Sequence, residues 1–225
     1  PNLIQNQFFD QGFSILEKLC IISKVLSSKY DVMITNPPYC GTSNMKAEIK
    51  AFFGKEYPSS KADMFAMFME TGFPKNNGFF AMINQQQWMF LNAYKQLRQT
   101  FLPKNALISL IQLGAHTFPE LNGEVVQSAT FVFRKCEEYK QTIFIRLVAS
   151  KTSEEKEKLF LSAISNSATN LISYKSVKDL MGIYNSILAY WIPGNVLSVL
   201  KTGPFVKDFC VYTGAMNKTG DNEKY

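Results

Sequence analysis

The chain is poor in the residues that build metal and redox centres. Histidine occurs once in 225 residues, at His116. The four cysteines, Cys20, Cys40, Cys136 and Cys210, stand far apart with no C-x-x-C spacing. A zinc site of ordinary ligand spacing is therefore not expected. The cysteines read as free thiols of a reducing, cytoplasmic compartment, not as a disulfide frame. No apolar run approaches ~18 residues, so no membrane span is expected. A signal-peptide pattern, an internal repeat and a low-complexity tract are likewise missing from the sequence.

What is present is an ordinary globular composition, 46% hydrophobic, with an excess of basic charge. Lysine and arginine number 24 against 18 acidic residues, for a formal charge of +6. That balance favours a polyanionic partner. The chain starts at Pro1 and stops at Tyr225 after a turn-rich stretch, as a piece of a longer polypeptide would.

Residues 31–39, DVMITNPPY, are the most informative stretch. Val32, Met33 and Ile34 form an unbroken apolar run, as expected of a strand buried on both faces of a parallel sheet. Asn36-Pro37-Pro38-Tyr39 then ends it. Two prolines remove two backbone donors and fix two φ angles. Asn36 is biased to an extended shape by the proline after it. The product is a rigid corner presenting one amide side chain, carbonyls free of competing N–H groups and one aromatic ring. That set suits a flat ring carrying an amino group, although a plain strand-capping turn has the same residues. In open α/β sheets ligands bind beyond the carboxyl ends of strands, where this corner lies.

The flanking pattern alternates. An amphipathic helix is expected over about 8–26, from Phe9, Phe13, Leu16, Cys20 and Ile22. A short helix is expected near 45–54, and another over 62–73 from Phe65, Phe68, Met69 and Phe73. GFFAMI (78–83) reads as a strand, 88–101 as a helix with Tyr94, Leu97 and Phe101 on one side, and ALISLIQL (106–113) as a third strand. Segments 126–135 and 142–148 read as a final strand pair, possible as an antiparallel hairpin. The fold class expected is α/β. The charged run TSEEKEK (152–158) marks an exit from a first domain over 1–150, with a partly helical connector over 151–200 and a Gly-, Thr-, Asn- and Lys-rich tail over 201–225.

These residues carry a resemblance. Asn36-Pro37-Pro38-Tyr39 resembles motif IV of the N6-adenine DNA methyltransferases. KADMFAMF (61–68) is similar to their motif V helix, and GFFAMINQQQW (78–88) to their motif VI strand and loop. LGAHTFPELNGEVVQSATFVFRK (113–135) resembles the region of motif VIII, and TGAMNKTGDNEKY (213–225) the opening of a target-recognition domain. The likeness is strongest to the enzymes of phage-exclusion (BREX) systems and to type IIG restriction–modification enzymes. It implies the C-terminal half of a Rossmann-like class I methyltransferase domain, followed by the start of a target-recognition domain. The glycine-rich motif I that cradles S-adenosyl-L-methionine is not found in residues 1–30, where Gly12 stands alone. An isolated chain without methyl transfer is therefore expected.

The resemblance implies catalytic roles for Asn36, Pro37, Pro38 and Tyr39. The Asn36 side-chain oxygen and Pro37 carbonyl would accept from adenine N6 and free its lone pair for attack on a sulfonium methyl. Tyr39 would stack on the base, which must leave the duplex first. Phe118 is the candidate for the opposite face of the base, or else anchors its loop. Asp63 and Phe65 match the helix bordering the methyl-donor pocket, although Asp63 also fits a helix-start charge. His116 reads as a loop residue, Phe131 as core, and Trp88 as packing at the sheet's end or at the pocket rim. Cys40 lacks the helpers of a reactive thiol. Lys218 and Lys224 are phosphate contacts or ordinary surface lysines. Expected partners are double-stranded DNA with a flipped adenine and other defence-system subunits. Two other readings stay open: a methyltransferase for RNA adenine or protein glutamine, and a non-catalytic piece that binds DNA or mediates assembly.

Overall fold

The structure is a computed structural model. It describes residues 2–71, 78–118, 126–136, 141–165 and 169–204, with side chains described from residue 13 onward. The tail holding Lys218 and Lys224, and with it the motif-like stretch 213–225, lies outside the described residues.

Helix α1 (Asn2–Ser27) leads into strand β1 (Val32–Thr35). Helices α2 (Ala47–Glu56) and α3 (Met64–Thr71) follow, then strand β2 (Phe79–Gln85). Helix α4 (Lys95–Phe101) precedes strands β3 (Ala106–Gly114), β4 (Ser128–Arg134) and β5 (Thr142–Arg146). The chain continues through α5 (Ser153–Ile164), β6 (Ile172–Lys175), α6 (Val177–Met181) and α7 (Gly194–Thr202).

The strands form one sheet in the order β1-β2-β4-β3-β5-β6. β1 and β2 run parallel, as do β3 and β5, while β4 is antiparallel to both β2 and β3. β1, β2, β3 and β5 therefore all end on the same edge. Parallel strands need crossover connections, and α3 and α4 lie in those crossovers.

Strands β4 and β5 do not form the hairpin that their succession in sequence suggests. β4 sits in the middle of the sheet because Ala129, Phe131 and Phe133 all need burial on one face. Phe131 meets Trp88 at 5.3 Å, and Phe133 meets Phe101 at 5.0 Å, both edge to face. Such aromatic pairs add about 0.5–1.5 kcal/mol each beyond area burial. Only a place between β2 and β3 brings those partners within reach.

Strand β1 also departs from the two-sided burial that its apolar run predicts. Val32 is 53% and Ile34 77% exposed, while Met33 packs on the core. β1 pairs with β2 at the end of the described sheet, and nothing described covers its second face. Helix α1 has the same character: all its described side chains are exposed, Phe13 and Leu26 among them.

The expected helix over 88–101 is broken. Residues Gln86–Met89 and Asn92–Tyr94 form two short 3₁₀ turns before α4 begins. Arg98 explains the break. Its buried guanidinium donates to the carbonyls of Trp88 (2.7 Å), Leu91 (2.9 Å) and Asn185 (2.9 Å), so a side chain of α4 binds the carbonyls of the segment where the helix is interrupted. Tyr94, Leu97 and Phe101 are nonetheless buried together, as their spacing predicts.

Residues beyond 150 share the principal core. Leu180, Ile183, Leu188, Ala189, Tyr190 and Leu197 join the cluster built by α3, β2, β3 and β4. Tyr190 stacks on Phe144 of β5 with centroids 4.4 Å apart. A smaller cluster of Ile145, Leu147 and Ala163 lies under α5 on the other face. Among the described residues no helix is long and apolar enough to cross a membrane.

Candidate active site

The corner at residues 36–39 stands at the carboxyl end of β1, as its sequence predicts. Pro37 is buried, Asn36 and Pro38 are exposed, and Tyr39 is half-buried. The Asn36 amide thus points outward from a buried proline that fixes its base. The Tyr39 hydroxyl lies 3.2 Å from Asn36 Oδ1 and 3.3 Å from the Ile83 carbonyl oxygen of β2. Partial burial raises the Tyr39 pKa, so this hydroxyl stays an O–H donor at neutral pH.

A second set of bonds holds the corner from behind. Asp63 is buried, and its Oδ1 accepts from the Cys40 N–H at 3.0 Å and the Phe65 N–H at 3.2 Å. The Phe65 bond is a helix-start cap on α3. The Cys40 bond ties the same carboxylate to the residue after Tyr39. Two backbone bonds extend the tie, Met64 N–H to the Cys40 carbonyl at 3.0 Å and Thr42 N–H to the Ala62 carbonyl at 3.2 Å. Desolvation raises the Asp63 pKa, opposed by the N–H groups of Phe65, Cys40 and Met64. Phe65, fully buried, meets the Tyr39 ring edge to face at 6.2 Å and the Tyr94 ring at 5.6 Å. Tyr39 is therefore positioned from below by a core ring.

Phe118 lies on the same sheet edge, half-buried in the loop after β3. Three strand positions separate β3 from β1, about 14 Å at ordinary strand spacing. The structure thus brings Asn36, Pro37, Pro38, Tyr39, Asp63 and Phe65 together and leaves Phe118 across the edge from them. His116 precedes Phe118 with a left-handed φ of 56°, two residues after Gly114 at 73°. A Cβ on Gly114 would also sit 3.1 Å from the Val148 backbone, so glycine is needed there twice over. Trp88 and Phe131 are core. Cys40 is half-buried, and its Sγ lies 3.9 Å from the Gly41 carbonyl oxygen.

Sequence reading missed a row of polar side chains along this edge. Tyr190 donates its hydroxyl to Gln112 Oε1 at 2.7 Å. Gln112 Nε2 donates to Gln86 Oε1 at 2.8 Å, and Gln86 Nε2 to Gln127 Oε1. Every bond points the same way, so each member polarises the next. Three glutamines in a row at a strand's end (85–87) were the available signal.

Comparison with known proteins shows the family. A family model described as "Eco57I restriction-modification methylase" matches residues 2–118. The chain belongs to that family. Two relatives extend the likeness of this Eco57I-type chain. One, "Adenine-specific methyltransferase PglX" from Lacticaseibacillus casei (strain Zhang), is 39% identical over 192 residues, 83% of the chain and 16% of the relative. Another, "Adenine-specific methyltransferase BrxX" from Escherichia coli O9:H4 (strain HS), is 36% identical over 172 residues, 74% and 14% of the two chains. The Eco57I-type chain thus spans about a sixth of the length of these relatives.

Solved structures agree on the fold. A type I restriction–modification assembly aligns with TM-score 0.54 at 16% identity, covering 78% of this chain and 42% of that one. The type I methyltransferase subunit from Streptococcus thermophilus aligns at 0.51 and 18% identity, covering 73% and 38%. The α/β architecture, with a mixed sheet flanked by helices, is that of a class I Rossmann-like methyltransferase domain.

Proposed function

We propose that the full-length protein is a site-specific DNA methyltransferase that moves a methyl group from S-adenosyl-L-methionine to adenine N6, in restriction–modification or phage defence. The observation that carries this reading is the exposed Asn36 amide on a proline-locked corner at the carboxyl end of β1, braced by Tyr39 and Asp63. The names of the PglX and BrxX relatives support the choice of adenine.

Adenine N6 is a weak nucleophile because its lone pair is delocalised into the ring. Asn36 Oδ1 and the Pro37 carbonyl would accept its two hydrogens and favour a pyramidal nitrogen. Preorganised acceptors lower the barrier because they need no reorientation during reaction. The Tyr39 ring would stack on the extruded base, returning about 1–3 kcal/mol against the cost of unstacking. Phe118 would be the candidate for the second face of the base. No base is needed before attack, and the proton leaves N6 afterwards.

Bound S-adenosyl-L-methionine would supply the electrophilic methyl. Of the two residues assigned to its pocket, Asp63 already uses Oδ1 for two N–H groups and Phe65 is fully buried. Neither fits as a direct contact in this arrangement, so both are assigned to bracing the corner. We infer that residues outside this chain hold the methyl donor, that residues 201–225 open a target-recognition domain, and that duplex DNA and other defence-system subunits are the partners.

The test offers the full-length protein labelled methyl donor with duplex DNA, RNA or protein. Label in DNA adenine is expected. Asn36→Ala should abolish transfer while leaving the melting temperature unchanged. Full transfer by that variant refutes the role of Asn36, and label confined to RNA or protein refutes the substrate. The isolated 225-residue chain should bind S-adenosyl-L-methionine weakly or not at all.

A further inference from the structure

The row of polar side chains described above ends at its other extreme on a cation. Arg146 is the last residue of β5, on the same sheet edge as Asn36, and it is exposed. Its guanidinium lies over the Trp191 ring, 5.2 Å from the centroid, and approaches the Tyr190 hydroxyl. Trp191 is wedged edge to face against Phe90 at 5.5 Å and Tyr190 at 5.2 Å. Phe90 follows the end of β2, so the assembly bridges two strand ends.

This arrangement immobilises a positive charge. A surface arginine ordinarily loses several rotamers when it binds, and here stacking has already removed much of that freedom. The residues that fix it are two rings and a phenol, none of them anionic, and no ion pair between Arg146 and a carboxylate is found among the described residues. A guanidinium stacked on indole keeps its N–H edge free for a planar or tetrahedral oxyanion. Trp191 itself remains 41% exposed.

We propose that Arg146, held on Trp191, Phe90 and Tyr190, is a contact for the phosphate backbone of the duplex DNA that flanks the extruded nucleotide, several nucleotides away from it. The inference rests on the reading that the protein acts on duplex DNA. Four strand positions separate β1 from β5, about 19 Å at ordinary spacing. With one phosphate per ~3.4 Å of strand, Arg146 meets the backbone about five or six nucleotides from the base at Asn36. A contact there positions the duplex and carries no sequence information.

Binding of the full-length protein to target duplex and to unrelated duplex, across a series of salt concentrations, tests the assignment. Arg146→Gln should weaken both complexes by a similar factor, about tenfold, and lower the log–log salt slope by about one. Arg146→Lys keeps the charge and loses the flat stack, so it should keep the slope and lose only affinity. It also guards against misfolding of the glutamine variant. Binding of S-adenosyl-L-methionine should be unchanged in both. Parental slope and affinity in Arg146→Gln overturn the phosphate contact while leaving the methyltransferase reading intact. Absence of duplex binding by the unsubstituted protein overturns both.

Discussion

The hydroxyl of Tyr39 lies 3.2 Å from Oδ1 of Asn36, the atom proposed to accept from the adenine amino group. Without a base, the acceptor is held by its own neighbour. The same hydroxyl has a second acceptor in the Ile83 carbonyl at 3.3 Å, so it can turn away from Asn36 without losing all its bonding. Binding of the base then exchanges one hydrogen bond for another, at a net cost near that of a single neutral bond, about 0.5–1.5 kcal/mol.

Tyr39→Phe separates the two jobs of this residue. It keeps the ring and deletes the competing hydroxyl, so methylation by the full-length protein should stay within about tenfold of normal. Tyr39→Ala removes the ring and should weaken binding of an extruded base by about 1–3 kcal/mol. Fluorescence of 2-aminopurine at the target position reports extrusion directly. Equal loss in both variants would show that the hydroxyl, and not the ring, matters.

Asp63 predicts an opposite pair of outcomes for two close substitutions. Its acceptor oxygen serves Cys40 and Phe65, and its charge costs desolvation. Because the folded pKa is raised, the folded state holds more protons in the window above the unfolded value. Stability contributed by this group therefore falls as pH rises through that acid window. Asp63→Asn keeps an acceptor and drops the charge, so its melting temperature at neutral pH should equal or exceed the normal one, and this decline with pH should vanish. Asp63→Ala orphans buried N–H groups and should cost about 1–3 kcal/mol. Thermal unfolding between pH 4 and 8, as a chosen range, reads both.

Arg98 ties the strand-end loop to residue 185. Burial pushes its pKa down to about 10, which leaves it protonated at neutral pH. Arg98→Met fills similar volume and leaves the carbonyls of Trp88, Leu91 and Asn185 without this donor. The expected loss is on the order of 3 kcal/mol, seen as a lower urea midpoint. Unchanged stability would mean that water replaces the guanidinium at little cost.

Much of the site was legible in the sequence because its physics is local. Two prolines after Asn36 fix a corner whatever surrounds it, and the spacing of Tyr94, Leu97 and Phe101 fixes a buried face even where the helix is broken. The sheet order was not legible. Phe131 and Phe133 announce burial, but only their distant partners Trp88 and Phe101 decide that β4 enters between β2 and β3. The apolar run of β1 gave the opposite error, since Val32 and Ile34 show a preference for burial that the described residues do not meet. Arg98 and Gln112 look like surface residues in a string of letters. Their roles depend on Asn185 and Tyr190, far along the chain.

The Tyr190–Gln112 bond offers the sharpest test of the polar row. Burial raises the Tyr190 pKa well above the usual phenol range, so its proton stays in place to be donated at any ordinary pH. Tyr190→Phe preserves the stack on Phe144 and deletes only the hydroxyl. Gln112 then keeps a buried oxygen without its partner, and the expected loss is about 1–3 kcal/mol. Gln112→Leu removes the other end and strands Gln86 as well as Tyr190. Residues in one network do not act independently, and coupling of about 0.5–3 kcal/mol is usual. The double variant should therefore lose less stability than the two single losses added together. Strict additivity in chemical unfolding would show that the row is three separate bonds and that its common direction has no energetic consequence.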